Sequence, residues 1–566
     1  MAYEPRLIAP FEGGGLVTYY KPWLIGFEAF PILEDAYLWR GSCRKREGFS
    51  LLAVLPTTPV QGLKLYYTTT GNQQLVGFST TKAYLLISAP SIMWFDISFF
   101  QTTGAPISWT GGNDDFFWTT NFASSLWVTN NVDPLRFWNG STTQGWNNQR
   151  PIVNGTTRMT ACLLIIAHKG RLIALNTTEG GSTFTNRARW SQIGTPYVLA
   201  SGGDPAVVPP TPFAIDDNAW RDDIPGKGGF IDADTNEQIV SCAIVRDVLI
   251  VFFQRSTWRL RYTGNEILPF IWERLNTQYG SESPLSSISF DEGILSFSRY
   301  GFIEADTNSV DRIDLKIPDQ SFFNMRFGTT LNSLRRVQGI RDYYRATAYW
   351  CYEDVDTNTG INNRVLAYNY LDKTWAIFKQ PFRCFGYYKQ FNDLQWQNAT
   401  FAWETANQPW SGPEQSQFPQ VVAGDADPTS GNVYVTYETI NDADDNGTNF
   451  GFDIWTKKFN PYIQQGLRCR LQYVDLYTTR TATGEITLNL YIDDETDTPQ
   501  MTRTVKINVT TRGEKYERVF LGAIGRFFQI ELTLTDAQIA DDDTGKEQFE
   551  LQGMVIWTRP EGRVKQ

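Results

Sequence analysis

The chain has 566 residues, a formal net charge of −11, 42% hydrophobic residues and 14% aromatic residues. This length exceeds one ordinary hydrophobic core and indicates several domains or an array of repeats. The acidic balance argues against tight binding of nucleic-acid phosphates by the whole surface. The single histidine, His168, nearly excludes histidine-based triads and multi-histidine metal sites.

Aromatic side chains are frequent, with 19 Trp, 26 Tyr and 37 Phe, and they favour strands because they fit half-buried pleated surfaces. No apolar run is long enough for a membrane span, and the first residues show no secretion signal. We therefore expect the protein to be made in, and to act from, a cytoplasm or a particle assembled there. The six cysteines are scattered and predict buried free thiols rather than disulfides or a zinc site.

Residues 1–60 predict an N-terminal β segment that joins the body of the protein or a neighbouring subunit. Within it, Arg44, Lys45 and Arg46 follow a strand and a glycine turn. One interpretation is a solvated edge strand, since edge strands often carry charge against mispairing. The alternative is a tongue that binds a partner.

Residues 61–460 repeat one pattern, which is clearest at 291–314. Ile294, Leu295 and Phe297 form an apolar run, Gly301 lies in a turn, and Phe302 begins the return run. Such a unit predicts a β-hairpin, which must bury one face against similar units because a lone hairpin is marginal in water. Similar runs begin at Tyr84, Leu126, Leu172, Val248, Ile294, Val365 and Val433. The shorter intervals between them match the roughly 40–50 residues of a four-stranded propeller blade, so the sequence predicts an all-β, β-propeller-like body of about six to eight blades.

Two long insertions interrupt this pattern, near residues 201–230 and 392–418, and long segments of this kind are usually functional or mobile loops. In the first insertion, Trp220, Arg221, Asp222 and Asp223 are candidates for contact with a channel or a partner. The alternative is a tryptophan folded back on its own blade. Residues 461–566 contain six alternating apolar and polar runs and predict a C-terminal β-sandwich.

One string suggests a metal. Asp442, Asp444 and Asn446 lie at alternate positions before Thr448, as in the start of a calcium loop, and Asp453 occupies the twelfth position. The alternative is an ordinary turn, because Asp, Asn and Gly are common in surface loops. No cofactor other than this possible Ca²⁺ is expected. Asp-box turns, G-x-S-x-G, P-loop and H-E-x-x-H motifs do not occur, and the sequence predicts a protein that is not an enzyme.

Strings spread over most of the chain resemble the tail nozzle, or tail tubular (head-stabilisation), proteins of short-tailed bacteriophages. The strings are AYLWRG at 36–41, KREGF at 45–49, GRL at 170–172, NTTEGG at 176–181, NRARWS at 186–191, PF at 269–270, ERLNT at 273–277, RYGF at 299–302, IPD at 317–319, FF at 322–323, GRF at 525–527, GMVIW at 553–557 and RP at 559–560. The chain departs from the family in the size of its insertions.

The resemblance implies a structural virion protein in a short phage tail, assembled in the host cytoplasm as a homo-oligomeric ring, with six copies expected. Such a ring closes the DNA channel, retains the genome and conducts it at ejection. The implied partners are portal and adaptor proteins, tail fibres or spikes, and double-stranded DNA that passes without sequence-specific contacts. No membrane insertion by this chain is expected. On this hypothesis, the loop at 201–230 or 392–418 gates the channel.

Two alternatives come from other classes. One is a carbohydrate-binding or depolymerising tail protein of the β-propeller glycosidase class, which needs a cleft where carboxylates and aromatic rings converge. The other is a soluble propeller enzyme of sugar metabolism, against which the single histidine and the absence of Asp-box turns count.

Overall fold

Short strands joined by tight turns make up most of the chain. The computed structural model describes residues 3–68, 73–87, 92–99, 106–142, 145–194, 196–199, 213–215, 218–318, 334–355, 360–389, 419–437, 444–479, 484–493, 498–507, 514–541 and 548–563. The N-terminal region contributes β1 (Glu4–Ile8), β2 (Gly15–Leu16), β3 (Ala29–Phe30), β4 (Ile32–Glu34), β5 (Ala36–Trp39), β6 (Ser42–Lys45) and β7 (Phe49–Val54).

Seven antiparallel blades follow along the described part of the chain, and each contains at least four strands. Blade 1 consists of β8 (Gly62–Tyr67), β9 (Gln73–Phe78), β10 (Ala83–Ile87) and β11 (Met93–Asp96). Blade 2 consists of β12 (Trp118–Phe122), β13 (Ser125–Thr129), β14 (Leu135–Trp138) and β15 (Asn147–Gln149). Blade 3 consists of β16 (Ile152–Asn154), β17 (Thr157–His168), β18 (Arg171–Glu179) and β19 (Ser182–Trp190). Between blades 3 and 4, β20 (Tyr197–Leu199) pairs with β21 (Phe213–Ile215), and β22 (Gly229–Asp232) is added to the outer edge of blade 3.

Blades 4 to 7 complete the ring. Blade 4 consists of β23 (Ile239–Val245), β24 (Val248–Phe253), β25 (Thr257–Tyr262) and β26 (Phe270–Asn276), and blade 5 of β27 (Ile288–Ser289), β28 (Ile294–Ser298), β29 (Gly301–Ala305) and β30 (Val310–Arg312). Blade 6 consists of β31 (Gln338–Asp342), β32 (Thr347–Tyr352), β33 (Arg364–Asn369) and β34 (Thr374–Phe378). Blade 7 consists of β35 (Phe382–Tyr388), β36 (Gln420–Asp425) and β37 (Asn432–Thr436) together with β7.

The blades form a closed β-propeller. The strands β8, β12, β17, β23, β27, β31 and β35 each contact the next one in this order, and β35 packs against β8. Blade 7 is completed by the N-terminal β7, which pairs antiparallel with β37 from Asn432↔Val54 to Thr436↔Phe49. The body is therefore an all-β propeller, as predicted, and its first and last segments share a blade.

Buried side chains fill the spaces between neighbouring blades. Val245 and Ile250 of blade 4 pack with Ile294 and Ile303 of blade 5 in one cluster, and Leu75 of blade 1 packs with Val422 of blade 7 in another. Each blade is too small to bury its own apolar faces, so the closed arrangement stabilises every blade through its two neighbours.

A β-sandwich lies beside blade 6. The hairpin of β38 (Asp444–Asp445) and β39 (Thr448–Asn449) extends the sheet of blade 7 beside β7. The strands of the sandwich that follow it are β40 (Asp453–Trp455), β41 (Leu467–Thr479), β42 (Glu485–Ile492), β43 (Met501–Lys506), β44 (Glu514–Gly525), β45 (Phe528–Thr533) and β46 (Glu550–Arg563). One sheet runs β4-β40-β45-β42-β43 and continues from blade 6 through β34, and the other runs β44-β41-β46-β6-β5 with β1 on β46. The short helix Asp536–Ala540 begins with a Thr535 capping box.

The structure divides the predicted N-terminal segment 1–60 between these two parts. Strands β1, β4, β5 and β6 belong to the sandwich sheets, whereas β7 belongs to the propeller. The sandwich also includes β40, which precedes the predicted boundary at residue 461. Strand pairing depends on which edges meet in space, and sequence order alone does not reveal it.

The edge-strand interpretation of Arg44, Lys45 and Arg46 is wrong. Strand β6 lies between β5 and β46, and the side chains of Lys45 and Arg46 are 0% and 1% exposed. Burial lowers the pKa of Lys45 to about 7, and its ammonium lies 4.3 Å from the centre of the Phe450 ring. These charges hold the interior of the protein together and do not face solvent.

Truncating Phe49 should open blade 7. This buried ring packs against Phe382 and Tyr434, with centroid distances of 5.1 and 4.6 Å. We expect Phe49→Ala to lower the free energy of unfolding by about 3–5 kcal/mol because it leaves a cavity, as measured by denaturant titration. Ser50→Ala on the same strand is the control and should change it by less than about 0.5 kcal/mol. Equal effects of the two substitutions would contradict this account of the closure.

Candidate functional site

A polar cavity of about 400 Å³ lies near the propeller axis, where blades 2 to 6 meet. Its walls come from the segments that lead into the innermost strands β12, β23, β27 and β31, and from the turns that follow β13 and β24. We call it the polar axial cavity. The residues used below are Asp114, Asp115, Phe116, Trp118, Glu282 and Arg335.

The segment before β12 is held in place by arginines from two other blades. Asp114 forms an ion pair with Arg336 (Oδ1 to Nη2, 2.6 Å), and Arg383 donates to the carbonyl of Asn113 at 2.5 Å. Asp115 accepts a hydrogen bond from the Gly112 amide at 2.7 Å. Burial lowers the pKa of Arg383. The two carboxylates therefore lie on a fixed loop, which favours recognition of a ligand without prior ordering.

Aromatic rings line the same cavity. Trp118 is half-buried and donates its indole N–H to the carbonyl of Ile165 at 2.6 Å, which fixes the ring. The guanidinium of Arg383 lies 5.7 Å from the centre of the Phe116 ring. Because Glu282, in the segment before β27, also lines it, the cavity combines apolar rings and carboxylates. This is the combination expected of a site that binds a polar organic ligand.

The residues of the predicted calcium site lie in two sheets. Asp444, Asn446 and Thr448 belong to the β38–β39 hairpin, and Asp444 accepts a hydrogen bond from the Gly447 amide at 2.7 Å. Asp453 lies in β40, opposite Glu34 and Thr533, and Asp442 lies outside the described residues. Among the described residues, no group of three or more His, Cys, Asp or Glu could hold a metal ion. The Asp444–Gly447 contact accounts for this string as a turn.

Trp220 does not face a partner. Its side chain is fully buried among residues of blades 2 and 3. The predicted contact of Trp220 with a channel or a partner is therefore wrong, and its ring packs inside the propeller instead. Asp222 accepts hydrogen bonds from Asn154 (2.7 Å) and Arg189 (3.2 Å). Arg221 pairs with Asp223. These polar groups thus tie the end of the insertion to blade 3.

The gating loops lie largely outside the described residues. Of the insertion at 201–230, the structure describes 213–215 and 218–230, and of that at 392–418 it describes nothing. The gating hypothesis therefore stays a prediction. The six cysteines, in contrast, are all described, and each is a buried free thiol, as predicted.

Sequence reasoning missed the polar axial cavity. Its one local signal is the string DDFFW at 114–118, in which two acids precede three aromatic residues. The partner wall, with Glu282 and Arg335, is far away in sequence, so only the closed propeller brings these groups together.

The fold defines the class as an all-β protein with a β-propeller body and a β-sandwich. No protein-family model and no curated protein matches the chain. Among solved structures, it is similar to an exo-β-1,3-galactanase from Phanerochaete chrysosporium (6% identity, 84% of this chain and 100% of that one, TM-score 0.21). It is also similar to a glycoside hydrolase family 43 arabinoxylan arabinofuranohydrolase from Bacillus subtilis (10%, 89% and 96%, TM-score 0.22) and to Hsv2 from Kluyveromyces lactis (8%, 57% and 97%, TM-score 0.25).

These matches correct one expectation. The sequence predicts a protein that is not an enzyme, but two of the three structures named above are glycoside hydrolases. At such identities and TM-scores, the likeness assigns neither a substrate nor catalytic residues to this chain. In the described residues, no helix is both long and apolar enough to cross a membrane.

Proposed function

We propose that the protein is a nozzle component of a short phage tail, which assembles as a hexameric ring around a channel for DNA. The observation that supports ring assembly is a pair of exposed apolar patches in different parts of the molecule. A ring needs two different, complementary surfaces on each subunit, and large exposed apolar patches are typical of protein interfaces.

The first patch lies on the outer edges of blades 7 and 1. It consists of Leu51 and Val54 of β7 with Ile92, Met93 and Phe95 in and beside β11, which are 39–54% exposed. Strands β7 and β11 are neighbours, so these exposed side chains lie at adjoining edges of blades 7 and 1. We call it the edge patch. Exposed apolar strands at a sheet edge are a risk for aggregation unless a partner covers them.

The second patch lies on the segment between β2 and β3 and consists of Tyr19, Tyr20, Trp23 and Leu24, each more than half exposed. We call it the aromatic patch. The Tyr19 amide donates to the carbonyl of Lys316, which follows blade 5, and the Lys458 amide donates to the carbonyl of Pro22. The aromatic patch thus lies beside blade 5 and the sandwich, away from the edge patch.

Native mass spectrometry and negative-stain imaging of the purified protein test the ring. We expect a closed hexamer for the wild type, and smaller species for Met93→Lys in the edge patch and for Trp23→Lys in the aromatic patch. A mixture of the two variants should form one-to-one dimers, because each retains the surface that the other lacks. Ile267→Lys, at an exposed residue outside both patches, should leave the ring intact.

A single-chain mass for the wild type at tens of micromolar would contradict the ring. So would a ring that forms equally well in both patch variants. A ring whose lumen is too narrow for duplex DNA in the images would contradict the role as a conduit while leaving the oligomer itself established.

A second candidate function is that of a carbohydrate-binding or depolymerising tail protein. The polar axial cavity favours it, because Asp114, Asp115 and Glu282 line one recess together with Phe116 and Trp118. Glycoside hydrolysis uses two carboxyl groups that flank the scissile bond, and a fixed recess with rings and acids could hold a sugar chain for that chemistry.

Bacterial surface polysaccharides test this second candidate through binding and through release of reducing ends. We expect Asp114→Asn and Glu282→Gln to weaken binding or cleavage about tenfold or more, because hydrogen bonds to charged groups are lost. Asp311→Asn, on the outermost strand of blade 5, is the matched control and should behave as the wild type. No binding and no cleavage across the panel would remove this candidate.

A further inference from the structure

The outer face of the sandwich strands β44, β41 and β46 carries five aromatic rings that the proposals above do not use. In the register of this sheet, Tyr473 lies opposite Phe520 and Trp557, and Tyr477 lies opposite Tyr516. Side chains two or four residues apart on a strand project from the same face, so the five rings share one face. We call it the sandwich platform.

The platform is open to solvent, whereas the opposite face of the same strands is closed. Leu476, next to Tyr477 on β41, belongs to the hydrophobic core. On the platform, Tyr477, Tyr516 and Phe520 are 38%, 44% and 53% exposed. The rings touch in pairs, with centroid distances of 5.2 Å for Tyr477 and Tyr516 and 5.7 Å for Tyr473 and Phe520. Exposed apolar groups gathered in this way are typical of a binding surface.

One arginine joins the rings of all three strands. The guanidinium of Arg518 lies 5.2 Å from the ring centre of Tyr473, 5.7 Å from that of Tyr516 and 5.2 Å from that of Trp557. Its Nε and Nη2 donate to the two carboxylate oxygens of Asp475 at 2.8 and 3.0 Å, and the indole of Trp557 donates to the same carboxylate at 2.5 Å. These contacts order the platform in advance, which lowers the cost of binding.

The charges at the centre of the platform cancel. The hydrogen bonds with Asp475 raise the pKa of Arg518, so both groups stay ionised as a pair. The side chain of Arg518 is 45% exposed and that of Asp475 is 2% exposed, so the pair presents N–H groups to solvent and hides its carboxylate. Nucleic acid does not complement this centre, because phosphate binding requires cations that have no counter-charge. An uncharged ligand with hydroxyl groups does complement it.

The dimensions of the platform favour a polymer over a small molecule. Three strands span about 10 Å from Phe520 to Trp557, and four residues span about 13 Å from Tyr473 to Tyr477. Small ligands are usually bound in concave pockets that bury most of their surface, and a sheet face offers no such walls. A chain that lies across the sheet can instead contact several rings at once.

We propose that the sandwich platform binds an uncharged polysaccharide. The C–H groups on one face of a sugar ring are apolar and weakly positive, and the face of an aromatic ring is negative, so the two stack. The guanidinium of Arg518 donates to sugar hydroxyl groups beside the stacked rings. The site shares its ligand class with the second candidate function, but it lies in the sandwich and depends neither on the polar axial cavity nor on the ring of subunits.

Calorimetric titration of the full chain with soluble polysaccharides tests the platform. The probes are galactan, arabinoxylan and dextran, which are uncharged, and alginate, which is acidic. We expect at least one uncharged probe to bind, with an affinity that does not fall at high salt because no charges are neutralised. Absence of binding by all three uncharged probes would overturn the proposal, and so would binding of alginate alone that is lost at high salt.

Substitutions at Phe520 separate stacking from simple apolar contact. Phe520→Ala and Tyr477→Ala should each weaken binding about tenfold, because each removes a ring from the contact. Phe520→Trp should retain the affinity, whereas Phe520→Leu should bind as weakly as Phe520→Ala, since leucine is apolar but has no flat ring. Tyr300→Ala, at a ring of blade 5 that is 44% exposed, is the matched control and should bind as the wild type. Thermal unfolding checks that each variant is folded.

Other occupants of the platform predict other results, and each of these would overturn the proposal. Wild-type affinity in Phe520→Leu would mean that no aromatic ring is needed, as expected of an apolar protein partner. A change in native mass in Phe520→Ala would mean that a second copy of the chain covers the platform. Loss of binding in Asp114→Asn but not in Phe520→Ala would place the polysaccharide in the polar axial cavity, and would support the second candidate function without the platform.

Discussion

Replacing Arg46 by methionine should destabilise the protein by about 3–5 kcal/mol, because it leaves the buried carboxylates of Asp35 and Asp445 without their arginine counter-charge. Arg46 donates to Asp35 at 2.6 Å and to both carboxylate oxygens of Asp445 at 2.7 and 2.6 Å. Its guanidinium also lies 3.6 Å from the centre of the Phe450 ring. Burial alone would lower the pKa of Arg46, but the ion pairs raise it above its ordinary value.

The position of Arg46 explains the size of this effect. Asp35 lies between β4 and β5 of the sandwich, and Asp445 lies in β38, which runs beside the closing strand β7. One arginine therefore joins the two parts of the molecule. Denaturant unfolding should show the loss, and the loss should shrink at acidic pH because protonated carboxyl groups cost less to bury.

Arg261→Met is the control for this experiment. Arg261 is 52% exposed and pairs with Glu273 on blade 4, and exposed ion pairs contribute about 0–1 kcal/mol. If Arg46→Met and Arg261→Met cost the same, the central role of Arg46 would have to be abandoned.

Replacing Asp453 by asparagine should stabilise the protein at alkaline pH. Three carboxylates lie on the neighbouring strands β4, β40 and β45: Glu34, Asp453 and Glu531. Burial, followed by the charges of Glu531 and Glu34, raises the pKa of Asp453 to about 7. Lys379 pairs with Glu34 at 2.5 Å and offsets the repulsion in part.

The sign of the pH dependence follows from this pKa. The folded protein keeps the Asp453 proton up to about pH 7, whereas an unfolded chain releases it near pH 4. Folding is therefore weakened as the pH rises from about 4 to about 7. Allowing for partial solvent screening, we expect Asp453→Asn to gain about 1–3 kcal/mol over the wild type at pH 8 and almost nothing at pH 4.

Unfolding at both pH values measures this difference. Asp291→Asn changes an exposed aspartate in the turn before β28 and serves as the matched control, with no gain expected at either pH. A gain of Asp453→Asn that is equal at pH 4 and pH 8 would show that the carboxylate charge is not its cause.

Much of the propeller could be predicted from local sequence. The hairpin expected at 291–314 is present as β28 and β29, with Ser298 opposite Gly301, because alternating apolar residues and a glycine turn determine a hairpin without distant contacts. The seven run starts in the sequence lie in seven different blades. Each blade is built from residues close together in sequence, so its strands can be predicted from the sequence alone.

Closure and the polar axial cavity could not be predicted in the same way. Nothing in the sequence of β7 indicates that its partner is β37, almost at the other end of the propeller. Asp114, Glu282 and Arg335 are ordinary residues in their own segments, and they line one cavity only because blades 2, 5 and 6 all approach the axis. The prediction that Lys45 and Arg46 lie on a solvated edge strand failed for the same reason. A charged side chain in a strand is expected to be exposed unless residues distant in sequence cover it and neutralise its charge, as Asp445 does for Arg46.

The pairing of β7 with β37 also has a consequence for biosynthesis. A ribosome must add almost four hundred residues after Val54 before Asn432 emerges to meet it. Throughout that time β7 lacks its pairing partner β37, and exposed strands of this kind promote aggregation. We expect nascent chains stopped before residue 432 to be protease-sensitive at their N-terminus and to be retained by chaperones, whereas chains released after the sandwich is complete are resistant.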